Sequence, residues 1–144
     1  MSFLKIVTIG FLILETTNIA TLYFSPDSKL ANGVGIFKAW EKSKADPEIH
    51  NFVKYLVNWV AGTKLIFIAL LMVILLRSDD HTLIFAGIAL VISIASFYWR
   101  LFPLICTMDH EDQIQPKRYS KALGWMISVF ILMFGMAILP ALFK

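Results

Sequence analysis

Cysteine and charge are both scarce in this 144-residue chain. The single Cys106 excludes an internal disulfide, a CxxC redox pair and a cysteine-rich zinc site. Charged residues make up only 16%, against roughly 25% in soluble domains. With 7 Gly and 5 Pro there is no collagen-like repeat, and long apolar runs exclude intrinsic disorder. Sustained period-two alternation is missing, so a membrane β-barrel is excluded. Catalytic signatures are missing too: there is no HExxH, GxSxG or Walker A motif. Gly33-Val34-Gly35 is too short to bind a dinucleotide, and no cofactor is expected. The net charge of +3 is too small and dispersed for nucleic acid, but it suits anionic lipid heads.

Hydrophobic residues fill the space, at 58% with a mean hydropathy of +0.74. A soluble chain this short cannot hide so much apolar surface from water. The apolar residues fall into four runs, near 3–24, 52–76, 82–105 and 119–142. Each has about 20 residues or more, enough to cross a hydrocarbon core of ~30 Å as a helix. The expected fold is therefore all-α: one integral membrane domain over residues 1–144, built as a four-helix bundle.

The run 3–24 has the make-up of a secretory signal, with Lys5 before IVTIGFLIL. No small-x-small cleavage site follows Leu14, so a retained span is expected. The second helix should start early, with Asp46 as N-cap, Pro47 at the first helical position and Glu48 complementing the dipole. The loop 25–51 carries turn signals at Ser25-Pro26-Asp27 and Asn32-Gly33. Within it, residues 34–45 could form an interfacial amphipathic helix, with Ile36, Phe37 and Trp40 on its apolar face. A plain solvated loop is the alternative. Ser120, Gly124 and Ser128 in the fourth run, and Ala86, Ala89, Ser93 and Ser96 in the third, should let helices approach closely inside the bundle.

Four spans put both termini and the turn 77–81 on one side, here side A. Side B carries loops 25–51 and 106–118. Side A has Lys5, Arg77 and Lys144; side B has Lys29, Lys38, Lys42, Lys44, Lys54, Lys117, Arg118 and Lys121. The basic excess on side B assigns both of its loops to the cytoplasm. All four Trp (40, 59, 99, 125) and all four Tyr (23, 55, 98, 119) also fall toward side B. They anchor in that leaflet, or some of them, Trp59 and Trp125 first, line a cavity.

Three ionisable residues lie well inside spans: Glu15, Lys64 and Arg100. Each costs at least ~2.5–3.5 kcal/mol at mid-bilayer on insertion scales. Helix rise places Glu15 about 15 Å, Lys64 about 10 Å and Arg100 about 8–9 Å below the side-B end. Asn18 shares a helix face with Glu15. Asn58 lies toward side B, although Lys64 is turned from it by about 120°. The bland expectation is internal pairing, with the leftover base snorkelling to side B. The functional one is a polar pocket lined by Glu15, Asn18, Asn58, Trp59, Lys64 and Arg100, one acid against two bases. It would suit an amphiphile with an anionic head, bound or moved without catalysis. A proton or ion pathway through Glu15 is a further functional reading.

A lipid-modifying enzyme using Glu15 or His110, or an accessory subunit of a larger membrane complex, are the alternatives. Partners would be membrane lipids or another amphiphile, a second copy, or a membrane subunit. Asp109-His110-Glu111-Asp112 with His50 could suggest a metal, but adjacent residues seldom converge on one ion, and no metal is expected. Cys106 is expected to be an unmodified thiol rather than a palmitoylation site.

The charge asymmetry yields a first prediction. A cysteine added beyond Lys144 should react with an impermeant thiol reagent in intact cells. Labelling only after lysis would reverse the orientation.

Overall fold

The computed structural model describes residues 2–143. Lys144, counted above for side A, lies outside the described residues. The chain is an all-α bundle, with no strand among the described residues beyond one isolated bridge. Its helices are α1 (Phe3–Phe24), α2 (Lys38–Ser43), α3 (Pro47–Arg77), α4 (Asp80–Ala95), α5 (Phe97–His110) and α6 (Tyr119–Leu142). With α4 and α5 taken as one stretch, Asp80–His110, four helices are long and apolar enough to cross a membrane. This is a multi-pass membrane protein by composition. Its outer surface agrees, since Ile66, Phe85, Ile92 and Leu132 are bare to the surroundings, as a lipid-facing exterior requires.

Local chemistry sets the helix ends. The Ser2 hydroxyl accepts from the Lys5 amide at the start of α1. The Asp46 carboxylate accepts from the amides of Glu48 and Ile49, with Pro47 behind it, as the sequence indicated. Asp79 accepts from the Thr82 amide at 2.7 Å to open α4. The third run is interrupted at Ser96, whose hydroxyl donates to the Ser93 carbonyl at 2.6 Å. Such back-bonding competes with the helical ladder and bends helices.

α1 packs on α3, α6 and α4, and α4 packs on α6. The main core lies in this region. Phe11 meets Phe67, Phe130 and Phe134 edge-on, with ring centroids 5.7–6.3 Å apart, and Phe134 is fully buried. Gly87 of α4 brings Ile138 of α6 close. The stripe Ala86, Ala89, Ser93 and Ser96 does not do this work: Ala89, Ser93 and Ser96 are exposed. Gly87 occupies the contact position because its neighbours at helical spacing, Leu83, Ile84 and Leu90, carry the buried face. At the side-A end, Lys5 reaches Asp80 at 3.0 Å and ties the starts of α1 and α4.

The loop between α1 and α3 is neither solvated coil nor one interfacial helix over 34–45. It folds as a 3-10 turn (Val34–Ile36) followed by the short α2. Trp40 is only 3% exposed and packs with Leu22, Val57 and Ala61. An apolar ring can bury here because its indole N–H donates to Asp27 at 2.6 Å. Lys44 donates to the same oxygen and to Glu41. These bonds, from Lys44 first and then Trp40, hold the Asp27 carboxyl below the ordinary carboxylate value. The turn is tight: a Cβ on Gly35 would collide with the Asp27 carbonyl oxygen.

On the other side-B loop, Asp109 accepts from the amides of Arg118 and Ser120 and from the Ser120 hydroxyl. A carboxylate of α5 thus caps α6. The run 109–112 is not simply a solvated acidic loop, and no metal-ligand group forms among the described residues. The two loops meet at an antiparallel bridge between Phe37 and Ile114.

Ser120 and Gly124 are buried between α5 and α6, and the Tyr98 hydroxyl donates to the Gly124 carbonyl and accepts from the Ser128 hydroxyl, both at 2.7 Å. A Cβ on Gly124 would sit 2.7 Å from the Phe102 ring. Gly124→Leu should therefore destabilise the bundle by about 1–3 kcal/mol, the usual cost of overpacking. Thermal unfolding in detergent measures it, and an unchanged transition would mean that α5 and α6 separate freely.

Candidate functional site

α1 and α3 each carry a buried stripe at three- and four-residue spacing. On α3 it runs Val57, Ala61, Lys64, Ile68, Leu71. On α1 it runs Leu4, Thr8, Phe11, Leu12, Glu15, Ile19, Leu22. Glu15 and Lys64 therefore stand where apolar residues would otherwise meet. The result is a salt bridge of 2.6 Å between Lys64 Nζ and Glu15 Oε2. Asn18 Nδ2 donates to the second oxygen, Glu15 Oε1, at 3.1 Å.

The cluster divides two apolar regions. Phe11, Ile68 and their neighbours form the main core, while Leu22, Trp40, Val57 and Ala61 form a separate group beneath the side-B cap. The site is not sealed, since the side chains of Lys64 and Glu15 remain 28% and 19% exposed. An ammonium has three donors, and among the described residues the one hydrogen bond from Lys64 goes to Glu15. The ammonium thus keeps donor capacity beyond that bond. Glu15 keeps lone pairs as well, so the half-open cluster holds both donor and acceptor capacity.

Of the six residues singled out from the sequence, the structure gathers three: Glu15, Asn18 and Lys64. Asn58 is exposed on α3, away from the stripe that faces α1, as the 120° offset implied. Trp59 is 62% exposed on the outer surface. Arg100 is exposed on α5 and stacks on the neighbouring Trp99, 5.4 Å from its ring centroid. Trp125 also faces outward. These rings belong to the bundle's exterior rather than to a cavity. The heptad-like spacing 57, 61, 64, 68, 71 is the signal that selects Lys64 over Asn58.

Sequence reasoning gave no role to two further features. Ser43, the buried last residue of α2, donates its hydroxyl to the Trp40 carbonyl and lies 2.9 Å from His50 Nδ1. The His50 ring packs on Trp40 at 4.9 Å. This network is closed and supports the cap. In the groove where the two side-B loops join lie open depressions of about 490 and 390 Å³. Their lysines were legible only as a topology signal.

The pair's environment sets the size of its contribution. Breaking a sealed ion pair from one side costs ~3–5 kcal/mol, whereas exposed pairs contribute ~0–1 kcal/mol. This half-open pair falls between. Glu15→Gln should destabilise the bundle by about 1–3 kcal/mol, and adding Lys64→Gln should recover part of that loss. A double-mutant cycle in detergent reads the coupling, and strictly additive effects would mean that the contact does not hold the helices together. Compared with known protein families, curated proteins and solved structures, the chain matches none.

Proposed function

We propose that this chain is a non-catalytic membrane protein that binds or moves an amphiphile with an anionic head. The head would sit at the Glu15–Asn18–Lys64 cluster in the side-B half of the bundle. The observation that carries this is Lys64: an ammonium within a span, partly open, with two donors unfilled. A charge at that depth is expensive, and the contact with Glu15 leaves the ammonium partly exposed. A carboxylate or phosphate arriving laterally from the bilayer could bond the free N–H groups while Glu15 turns to Asn18. Leu14 and Leu65, exposed beside the pair, give its tail apolar surface. Side B is proposed to face the cytoplasm, where basic loops concentrate.

Arg100 favours a second reading. Among the described residues it has no carboxylate partner. Ser93 and Ser96 are exposed on the same run. A partner helix bearing an acidic residue would pair with it, which makes the chain a subunit of a larger assembly.

Native mass spectrometry of the protein released from mild detergent separates the two. Retained lipid on wild type, lost from the Glu15→Gln/Lys64→Gln variant, supports the amphiphile site. A lipid-free chain bound stoichiometrically to another membrane protein supports the subunit and defeats the first reading.

A further inference from the structure

The side-B groove offers a second and different site. Backbone bonds make its floor rigid: Lys38 donates to the Gln113 carbonyl at 2.9 Å, and Gln115 donates to the Ile36 carbonyl at 2.8 Å. Ile36 and Ile114 are buried beneath this bridge. The two depressions adjoin, sharing Lys29, Lys38 and Gln115.

The charges around them are unequal in their commitments. The acids are engaged: Asp27 and Glu41 bind Lys44, and Asp112 binds Lys117. Lys29, Lys38 and Lys42 have no carboxylate within ion-pair distance among the described residues. With Lys44 and Lys117 counted, five lysines stand around the groove against the three carboxylates Asp27, Glu41 and Asp112, so it keeps a positive excess that a bound anion offsets. A phosphate fits the donor set, because the ammonium groups and the side-chain amide of Gln115 are N–H donors, and no phosphate oxygen needs a protein acceptor.

The neighbouring residues identify the source of that phosphate. Leu30, next to Lys29, is 79% exposed, and Phe24 at the end of α1 is 84% exposed. Neither side chain lines the groove, but both flank in sequence the segment that does, since Asp27 and Lys29 line it. At an interface such side chains enter the acyl boundary while adjacent lysines meet the head groups. We infer that the groove between the two side-B loops, lined by Lys29, Lys38 and Gln115, seats the phosphate head group of an anionic phospholipid. This goes beyond the ligand proposed for Lys64 and involves none of the same residues.

The test uses the full chain in lipid nanodiscs of phosphatidylcholine, or of an equal mixture with phosphatidylglycerol. Lipids retained on release are measured by native mass spectrometry, and thermal stability is followed in parallel. Wild type should retain phosphatidylglycerol preferentially. Each lysine near an anionic surface contributes ~1 kcal/mol, or about fivefold. Lys29→Gln/Lys38→Gln should therefore weaken the preference about 25-fold, with unchanged stability in phosphatidylcholine alone. Glu15→Gln/Lys64→Gln should keep it.

Equal retention of the two lipids by wild type would overturn the inference, as would a preference that survives in the lysine variant. A rise in thermal stability with sodium phosphate equal to that with phosphatidylglycerol would assign the site to the free anion and overturn the lipid source. Loss of the preference only in Glu15→Gln/Lys64→Gln would place the head group at Lys64, which defeats this inference and leaves the amphiphile site standing.

Discussion

The bond between Glu15 and Lys64 governs how α1 and α3 can meet. Neither charge can leave the interface without losing its partner in a region poor in water. The two helices are thereby held at one register, with Phe11 and Ile68 on one side of the pair and Leu22, Ala61 and Trp40 on the other. Apolar contacts between lipid-bathed helices specify register weakly, since a slipped arrangement buries similar surface. The ion pair adds a polar contact that this register makes. The same pair stays partly exposed, at 28% for Lys64 and 19% for Glu15. Register and accessibility come from one substitution pattern.

On side B, carboxylates organise what the hydrophobic effect cannot. Asp27 gathers Trp40 and Lys44, so a loop of mixed composition acquires its own small core. Asp109 reaches from α5 to the first amides of α6, which have no partner within their own helix. Both acids act as acceptors for fixed donors. The lysines of the two loops are treated differently: Lys44 and Lys117 are tied to carboxylates, while Lys29, Lys38 and Lys42 have no carboxylate partner among the described residues. Net charge alone does not reveal that division.

The fold was largely readable, because crossing a membrane imposes long apolar helices that leave a strong mark in composition. The Asp46-Pro47 start of α3 was legible for the same local reason. The candidate site was readable in part. Its residue types stand out, since Glu15 and Lys64 break otherwise apolar runs, and Asn18 lies one turn from Glu15. Which of them converge depends on helix rotation, and the choice among Asn58, Lys64 and Arg100 turned on that. The roles of Asp27 and Asp109 were hidden for a different reason. Both act on residues distant in sequence or on backbone amides, and neither bond leaves a periodic trace.

The bridge between Phe37 and Ile114 has a consequence for biosynthesis. It joins the loop of the first helix pair to the loop of the second, so the strands it pairs emerge from the ribosome far apart in time. Until Ile114 arrives, the Ile36 carbonyl and the Lys38 amide have only water to bond, and Ile36 lacks part of its cover. The early loop therefore waits half-made while the two spans that follow it are synthesised, and it gains its bridge only when residues 113–115 reach it. Protection of that loop from proteolysis marks the moment at which the two helical hairpins become one molecule.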